Sequence, residues 1–313
     1  MIPSSVLGID GGAPRYGALP PLDPADLATP GPTRRVDVGG VAVNTFEREG
    51  RDPPLILIHG LSAYIGCWTP QIQRFTAQGR RVLALDLPGF GGSDRPDGPY
   101  SPPWYARLIA RWLDAVGVAH GVVVGHSMGG QIAMRFALDH PERVDGLVLA
   151  APAGIETFKP DAADWMRAFW TTERAEHATE DELRANFTKL AFNRTDEHVE
   201  ALLCERVRMQ KHPTWPATAR AVSRCIAGML DHPVRAELGG LHVPTLVVYG
   251  SDDRMIPNPV FTKGTTAAIA AEARRALPDA RLTLLEGAGH YVQHDDPEGF
   301  HAAVEGFLRE LGY

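Results

Sequence analysis

Short apolar runs that alternate with helical segments are the feature that most constrains the fold of this chain. The run Leu55-Ile56-Leu57-Ile58 is apolar on both faces, as in a strand buried on both sides of a parallel sheet. Similar runs recur at Val82–Leu85, Val122–Val124, Leu147–Ala150, Leu246–Tyr249 and Leu282–Leu285. Between most of the runs lie segments with helical spacing, such as Trp104–Val116, Gln131–Leu138 and Phe300–Leu311. This alternation predicts an α/β fold with a doubly wound, mostly parallel sheet.

Breaks in the alternation divide the chain into parts. Residues 1–33 are rich in proline and glycine, which opposes helix and ladder formation and predicts an irregular N-terminal arm. Such an arm is either a disordered leader or a segment packed on the body or on a second subunit. Gly39-Gly40 then signals a hairpin between two β-rich segments. Residues 155–235 contain no convincing strand, which predicts a helical cap inserted into a core of residues 34–154 and 236–313.

The bulk composition narrows the class of protein and of partner. With 44% hydrophobic and 22% charged residues, the chain resembles an average soluble globular protein. The net charge of −7 opposes contact with nucleic acid phosphates. Three scattered cysteines predict reduced thiols rather than a disulfide framework or a zinc site. Without a signal sequence or an apolar run near the ~20 residues of a membrane helix, we expect a cytoplasmic protein with no membrane or nucleic-acid partner. Homo-oligomer formation stays open.

The segment Gly125-His126-Ser127-Met128-Gly129-Gly130 lies directly after one predicted buried strand and directly before a predicted helix. It fits the Gly-x-Ser-x-Gly nucleophile elbow, in which a tight turn holds the serine in a strained backbone conformation. The flanking glycines remove side chains that would clash in this turn. The turn lifts the Ser127 hydroxyl to the top of the sheet, at the positive end of a helix, and makes Ser127 the candidate nucleophile.

From this motif onward the chain resembles the α/β-hydrolase superfamily over residues 34–312. The stretch Leu57-Ile58-His59-Gly60-Leu61 looks like the family's oxyanion loop, and Asp86–Ser93 like the turn after its fourth strand. The stretch Pro244–Pro257 looks like the strand and loop with the acid, and Gly287-Ala288-Gly289-His290 like the loop with the base. The order is the family's own: serine, acid, histidine. The resemblance implies an α/β-hydrolase fold with a Ser-His-Asp triad.

A serine hydroxyl becomes nucleophilic only beside a base, and the base needs a carboxylate that fixes its tautomer. His290 fits the base because it follows a predicted strand at the carboxyl edge of the sheet. The resemblance assigns the acid to Asp253 and leaves its neighbour Asp252 to stabilise the loop. In the sequence, no carboxylate cluster or H-x-x-x-H motif indicates a metal site, and we expect neither a metal nor a cofactor.

Motif position also predicts the oxyanion hole, because the intermediate of acyl transfer needs preorganised donors. The candidate donors are the backbone N–H groups of Leu61 and Met128. Trp165 and Phe169 are candidate substrate-binding residues, although aromatics at helical spacing also form the core of a cap. We interpret the other polar candidates as structural: His59 and His126 in turns, Asp86 bonded to its own turn, and His294 at the surface.

The serine at the elbow narrows the reaction. Epoxide hydrolases and haloalkane dehalogenases use Asp at this position, so Ser127 excludes their chemistry. Meta-cleavage-product hydrolases share the Asp-Asp-Arg acid loop but typically have Asn before the serine, where this chain has His126, and a Gly-rich oxyanion loop. We therefore predict hydrolysis of a small-molecule carboxylic ester, lactone or thioester with a mainly apolar acyl group. Carbon–carbon bond hydrolysis is the alternative, and a non-catalytic ligand-binding protein of the same fold is the third interpretation.

Overall fold

The computed structural model describes residues 15–313, so residues 1–14 of the predicted arm lie outside the described part. The strands in chain order are β1 Thr33–Asp37, β2 Ala42–Arg48, β3 Arg51–Ile58, β4 Arg80–Leu85, β5 Gly121–His126, β6 Val144–Ala150, β7 Thr245–Gly250 and β8 Ala280–Leu285. They form one sheet in the order β1-β2-β4-β3-β5-β6-β7-β8. Only β2 pairs antiparallel with its neighbours, β1 and β4, and the other pairs are parallel. The predicted α/β architecture is confirmed.

The helices complete the doubly wound arrangement. In chain order they are α1 Thr69–Ala77, α2 Pro102–Ala115, α3 Met128–Asp139, α4 Pro160–Phe169, α5 Thr172–Glu176, α6 Glu180–Ala185, α7 Glu197–Met209, α8 Trp215–Asp231, α9 Thr266–Ala276, α10 Val292–Asp295 and α11 Pro297–Glu310. Helices α2 and α3 pack together, and α1 packs on α11. Within residues 15–313, none of the helices is long and apolar enough to cross a membrane.

The strand order positions the candidate site. Strand β3 lies between β4 and β5, so the chain order reverses at β3. The register pairs Ile58, the last residue of β3, with Gly125 near the end of β5. In open α/β sheets the crevice outside the carboxyl ends of the strands at such a reversal is where ligands bind. The loops after β3 and β5 therefore meet at the expected place for a site.

Strand β8 differs from its prediction. The sequence analysis treated Leu282–Leu285 as a strand buried on both faces, which is wrong. Leu282 and Leu284 are 37% and 39% exposed. The reason is its position: β8 lies at the edge of the sheet and pairs with β7 alone, so alternate side chains remain in contact with solvent.

Between β6 and β7 the chain forms α4 to α8, with a π-helix at Asn186–Ala191. Residues 15–32 lie along this helical segment. The Leu22 N–H donates to the Arg208 carbonyl at 3.3 Å, and the Ala28 N–H donates to Glu205 Oε1 at 2.9 Å. Leu22 also packs into an apolar cluster that includes residues of α7. The described part of the arm is thus held against α7.

Candidate active site

Ser127 occupies a sharp turn between β5 and α3. Its backbone has φ 54° and ψ −119°, in the region that side chains other than glycine rarely adopt. A Cβ on Gly125 would lie 2.4 Å from the Gly129 oxygen, and one on Gly129 would lie 2.4 Å from the Ile58 oxygen. Neither neighbour has room for a side chain, since the obstructing atoms belong to the backbone. The glycines of the motif are therefore steric requirements of the turn that presents the hydroxyl.

Three side chains from three different loops meet at this turn. The Ser127 hydroxyl lies 2.9 Å from His290 Nε2. On the other side of the ring, His290 Nδ1 lies 2.9 Å from Asp253 Oδ2. The imidazole and the carboxylate are buried, while Ser127 is half-buried. Because Asp253 accepts at Nδ1, it favours the tautomer whose Nε2 lone pair faces the serine hydroxyl.

The two adjacent carboxylates of the acid loop have different surroundings. Asp253 Oδ1 accepts the N–H groups of Met255 and Ile256, at 2.8 and 2.9 Å. This leaves Oδ2 directed at His290. Asp252 is exposed, and its carboxylate accepts a hydrogen bond from the Ser251 hydroxyl at 3.1 Å. The structure therefore brings Asp253 to the histidine and leaves Asp252 outside the site.

The loop after β3 lies directly against the elbow. A Cβ on Gly60 would lie 3.2 Å from the Ser127 Cβ, so the glycine permits the close approach of this loop to the nucleophile. Among residues 15–313, no acceptor is assigned to the N–H of Leu61 or of Met128. Met128 is also the first residue of α3, where an N–H group has no partner within the helix. The role of these two N–H groups in an oxyanion hole stays a prediction.

Buried polar residues hold this loop in place. His59 Nε2 accepts the Leu87 N–H at 2.9 Å, so Nδ1 carries the proton and donates to the Gly60 carbonyl at 2.7 Å. Burial lowers the pKa of His59, consistent with this neutral form. Asp86 accepts the Ile65 N–H at 2.7 Å and the Gly92 N–H at 2.8 Å. Asp86 thus bonds to its own turn, as expected, and also fixes the segment that follows the oxyanion loop.

Two other histidines were given structural interpretations, and one interpretation is wrong. His126 is buried, and its Nε2 donates to the His290 carbonyl at 3.0 Å, which joins the elbow to the base loop. His294 was expected at the surface, yet it is buried and its ring stacks on His198 with 5.6 Å between centroids. The reason is α7, which begins over α10 and covers that side chain. Burial lowers the pKa of both His294 and His198.

A small cavity of about 30 Å³ lies between the helical segment and residues 62–67, which follow the oxyanion loop. It has room for about one water molecule. Its wall is formed by Ser62, Ala63, Tyr64, Cys67, Phe90, Gly91, Phe187, Leu202, Arg206, Met209, Thr218 and Tyr291. The wall includes neither Trp165 nor Phe169, which stack at the surface with 4.7 Å between ring centroids. Their contact with a substrate stays a prediction.

Arg206, a residue that the sequence analysis missed, places a cation in this wall. Its Nη1 donates to the Ser62 carbonyl at 3.0 Å, Nη2 donates to the Ser62 hydroxyl, and its Nε is buried without a partner. The guanidinium lies 4.8 Å from the Trp215 ring centroid. Among the described residues, no carboxylate forms an ion pair with it. Burial without an anion lowers its pKa to about 10. The only sequence signal is an arginine on the apolar face of α7.

Comparison with known proteins shows the family to which this chain belongs. Residues 53–297 match the alpha/beta hydrolase fold family, and the chain belongs to that family. It is similar to the 2-hydroxymuconate semialdehyde hydrolase of Pseudomonas putida, with 31% identity over 287 residues, covering 88% of this chain and 94% of that protein. It is also similar to the putative carbamate hydrolase RutD of Azorhizobium caulinodans, with 30% identity over 284 residues, 87% of this chain and 97% of that protein.

A solved structure extends the similarity. The crystal structure of a probable hydrolytic enzyme from Pseudomonas aeruginosa superposes with a TM-score of 0.81 at 25% identity, covering 92% of this chain and 98% of the other. The relatives share a hydrolase fold while their names point to different substrates. The substrate of this chain therefore has to be argued from its own residues.

Proposed function

We propose that this chain is a serine hydrolase that cleaves a carboxylic ester, a lactone or a thioester through an acyl-enzyme. The observation that supports this most directly is the hydrogen-bonded series from the Ser127 hydroxyl through His290 to Asp253, with both distances at 2.9 Å. This is the arrangement that nucleophilic acyl transfer needs, because the base must reach the hydroxyl proton and the acid must orient the base.

The chemical steps follow from the positions of these groups. His290 Nε2 takes the proton as Ser127 Oγ attacks the carbonyl carbon, and the imidazolium is stabilised by Asp253. The oxyanion that forms accepts the N–H groups of Leu61 and Met128. Collapse of the intermediate expels the alcohol or thiol, which takes the proton from His290. Water then attacks the acyl-enzyme with His290 as base again, and the acid is released.

We propose that residues 155–235 form a cap over this site. The cap is an insertion between the two parts of the core, residues 34–154 and 236–313. The wall of the cavity supports this, because it joins α7 and α8 to residues 62–67, which follow the oxyanion loop, and most of its side chains are apolar. The wall includes Tyr291, which directly follows His290, and a volume of ~30 Å³ is too small for an acyl group of several carbons, so we propose that substrate enters with displacement of the cap. We also propose a cytoplasmic location, as the sequence analysis predicts.

The Arg206 guanidinium, which forms no ion pair with a carboxylate of the described residues, favours carbon–carbon bond hydrolysis as a second candidate function. A partly buried guanidinium without a carboxylate partner is stabilised when a ligand supplies the anion. Arg206 therefore supports a substrate that has an acidic group, which a vinylogous diketone acid provides and a simple apolar ester does not. The similarity to a 2-hydroxymuconate semialdehyde hydrolase points the same way.

A substrate panel tests both candidates. Purified protein should release p-nitrophenol from p-nitrophenyl esters of increasing chain length with an initial burst, and lactones and a vinylogous diketone acid should be assayed in parallel. Ser127→Ala should keep its fold by circular dichroism and lose turnover of the preferred substrate by several orders of magnitude. Turnover near the wild-type value in that variant would refute the serine mechanism. Cleavage of the diketone acid alone would select the second candidate, and binding without turnover would indicate a ligand-binding protein.

A further inference from the structure

A four-residue segment of the cap, residues 191–194, lies directly on the loop that contains the base. The Ala191 carbonyl accepts the Tyr291 N–H at 3.0 Å. The Phe192 ring stacks on the Tyr291 ring with 4.1 Å between centroids and 18° between planes. Tyr291 directly follows His290, so this part of the cap touches the base loop through both main chain and side chain.

Asp295 joins the same two segments. Its Oδ2 accepts the Gly289 N–H at 2.8 Å, and Gly289 is the residue directly before His290. Its carboxylate also accepts the Asn193 N–H at 3.1 Å and the Arg194 N–H at 2.8 Å. Three backbone donors, one from the base loop and two from the cap, therefore converge on one carboxylate. Such charge-assisted hydrogen bonds are among the stronger polar contacts in proteins.

The Asn193 side chain makes the connection in the opposite direction. Its Nδ2 donates to the Gly287 carbonyl at 3.1 Å and to the Asp252 carbonyl at 3.3 Å, one in the base loop and one in the acid loop. Packing here is tight, since a Cβ on Gly289 would lie 2.8 Å from the Asn193 Cγ. One cap residue thus contacts the loops of both the base and the acid.

We propose that Asp295 and Asn193 are positioning residues for His290, so that the seating of the cap is a condition for alignment of the base. The inference rests on the proposed function and extends it, because it assigns the cap a part in assembling the triad as well as in covering the substrate. The physical reason is that a shift of Gly289 moves the His290 backbone, and displacement of a catalytic group by about 1 Å costs up to about 10²-fold in rate.

The neighbouring residue Asp296 provides a matched comparison. Asp296 has the same side chain one position further along, but its Oδ1 accepts the Gly299 N–H at 2.9 Å within α11 and acts as the cap of that helix. Among the described residues, Asp296 makes no hydrogen bond to the base loop or to residues 191–194. If the role of Asp295 were purely structural, its substitution would lower stability without a specific loss of kcat, and kcat would be retained as expected for Asp296.

The test compares Asp295→Asn with Asp296→Asn in the full-length protein, using the p-nitrophenyl ester that the wild type cleaves best. An amide at 295 presents an NH2 group to converging N–H donors and cannot accept all of them. We expect kcat to fall by about tenfold or more with KM changed less than about twofold. Asp296→Asn keeps an oxygen that can accept the Gly299 N–H, so it should change the melting temperature little and leave kcat within about twofold of wild type. The midpoint of the pH profile of kcat/KM should move only in Asp295→Asn, because only that variant disturbs His290.

Asn193→Ala keeps the inference testable if Asp295→Asn does not fold. It removes the contacts to Gly287 and Asp252 without adding a buried donor, and should also lower kcat more than it raises KM. In the double variant the losses should be less than the product of the single losses, since both residues act on one loop. Values of kcat within about twofold of wild type in Asn193→Ala, or equal losses in Asp295→Asn and Asp296→Asn, would refute the inference. Failure of the proposed function is separate, because it would appear as turnover in Ser127→Ala.

Discussion

Replacement of Asp253 by Asn should inactivate the protein through geometry that the backbone imposes. In the wild type, Oδ1 of Asp253 accepts the N–H groups of Met255 and Ile256, and Oδ2 faces His290 Nδ1. The single oxygen of an asparagine is held by the same two backbone donors. Its NH2 group must then face Nδ1 and donate to it. This forces the His290 proton onto Nε2. A protonated Nε2 cannot accept the proton of the Ser127 hydroxyl, so His290 can no longer act as the base.

The expected loss of kcat follows because His290 keeps its position but can no longer act as a base. A wrong tautomer in a Ser-His-Asp triad lowers kcat by about 10⁴-fold, which corresponds to about 5.5 kcal/mol of transition-state stabilisation. Stability should change little, because the amide keeps both backbone hydrogen bonds and removes a buried charge. The assay is steady-state hydrolysis of a p-nitrophenyl ester, with thermal unfolding measured on the same preparation.

Asp252→Asn is the matched control for this prediction. Asp252 is exposed and its carboxylate accepts only from Ser251 among the described residues, so the amide should keep kcat within about threefold of wild type. Asp253→Asn with more than about a tenth of wild-type kcat would refute the tautomer argument. An inactive but folded Asp252→Asn would move the acid by one residue and leave the rest of the mechanism intact.

Three further results are expected. Gly129→Ala should lose on the order of 3 kcal/mol of unfolding free energy by denaturant titration, because its Cβ would meet a backbone oxygen at 2.4 Å, whereas Gly239→Ala enters open space and should stay within about 0.5 kcal/mol. Burial lowers the pKa of His198 and His294 from 6.5, so below pH 6.5 the unfolded chain binds more protons than the folded chain does. The contribution of these two histidines to stability is therefore full above pH 6.5 and is lost as pH falls through their folded pKa values. The melting temperature should therefore fall on acidification, and less so in His198→Gln. Arg206→Met should raise KM for an acidic substrate at least about tenfold and leave a neutral ester unaffected; equal changes for both would refute a role in anion recognition.

The sheet and the elbow were predictable from sequence because their signals are local. Buried parallel strands appear as continuous apolar runs, and the elbow has glycines at fixed positions beside Ser127. The edge position of β8 was not predictable in this way, since Leu282 and Leu284 have the same composition as buried strand residues. Whether a strand is covered depends on where the chain places it in the sheet, which no short window contains.

The residues that the sequence analysis missed act across long separations. Asp295 precedes Asp296 and a proline, so its sequence context indicates a helix N-terminus, and its contact with Asn193 spans 102 positions. Arg206 has no local signal beyond a charge on an apolar helical face, and its partner Ser62 lies 144 positions away. Side chains that work between a cap and a core take their role from the docking of the two parts, and a single sequence does not encode that docking as a pattern.

The strand order also determines when, during synthesis, this chain acquires its triad. Ser127 lies between β5 and β6, but the acid and the base follow β7 and β8, which add in sequence at one edge of the sheet. Domains begin to fold from the N-terminal end as the chain emerges from the ribosome. A nascent chain that ends before residue 290 thus contains the proposed nucleophile and the two proposed oxyanion donors without the proposed base. If the proposed mechanism holds, the chain should therefore be inactive until residue 290 has been made, and chains terminated before that residue should be inactive.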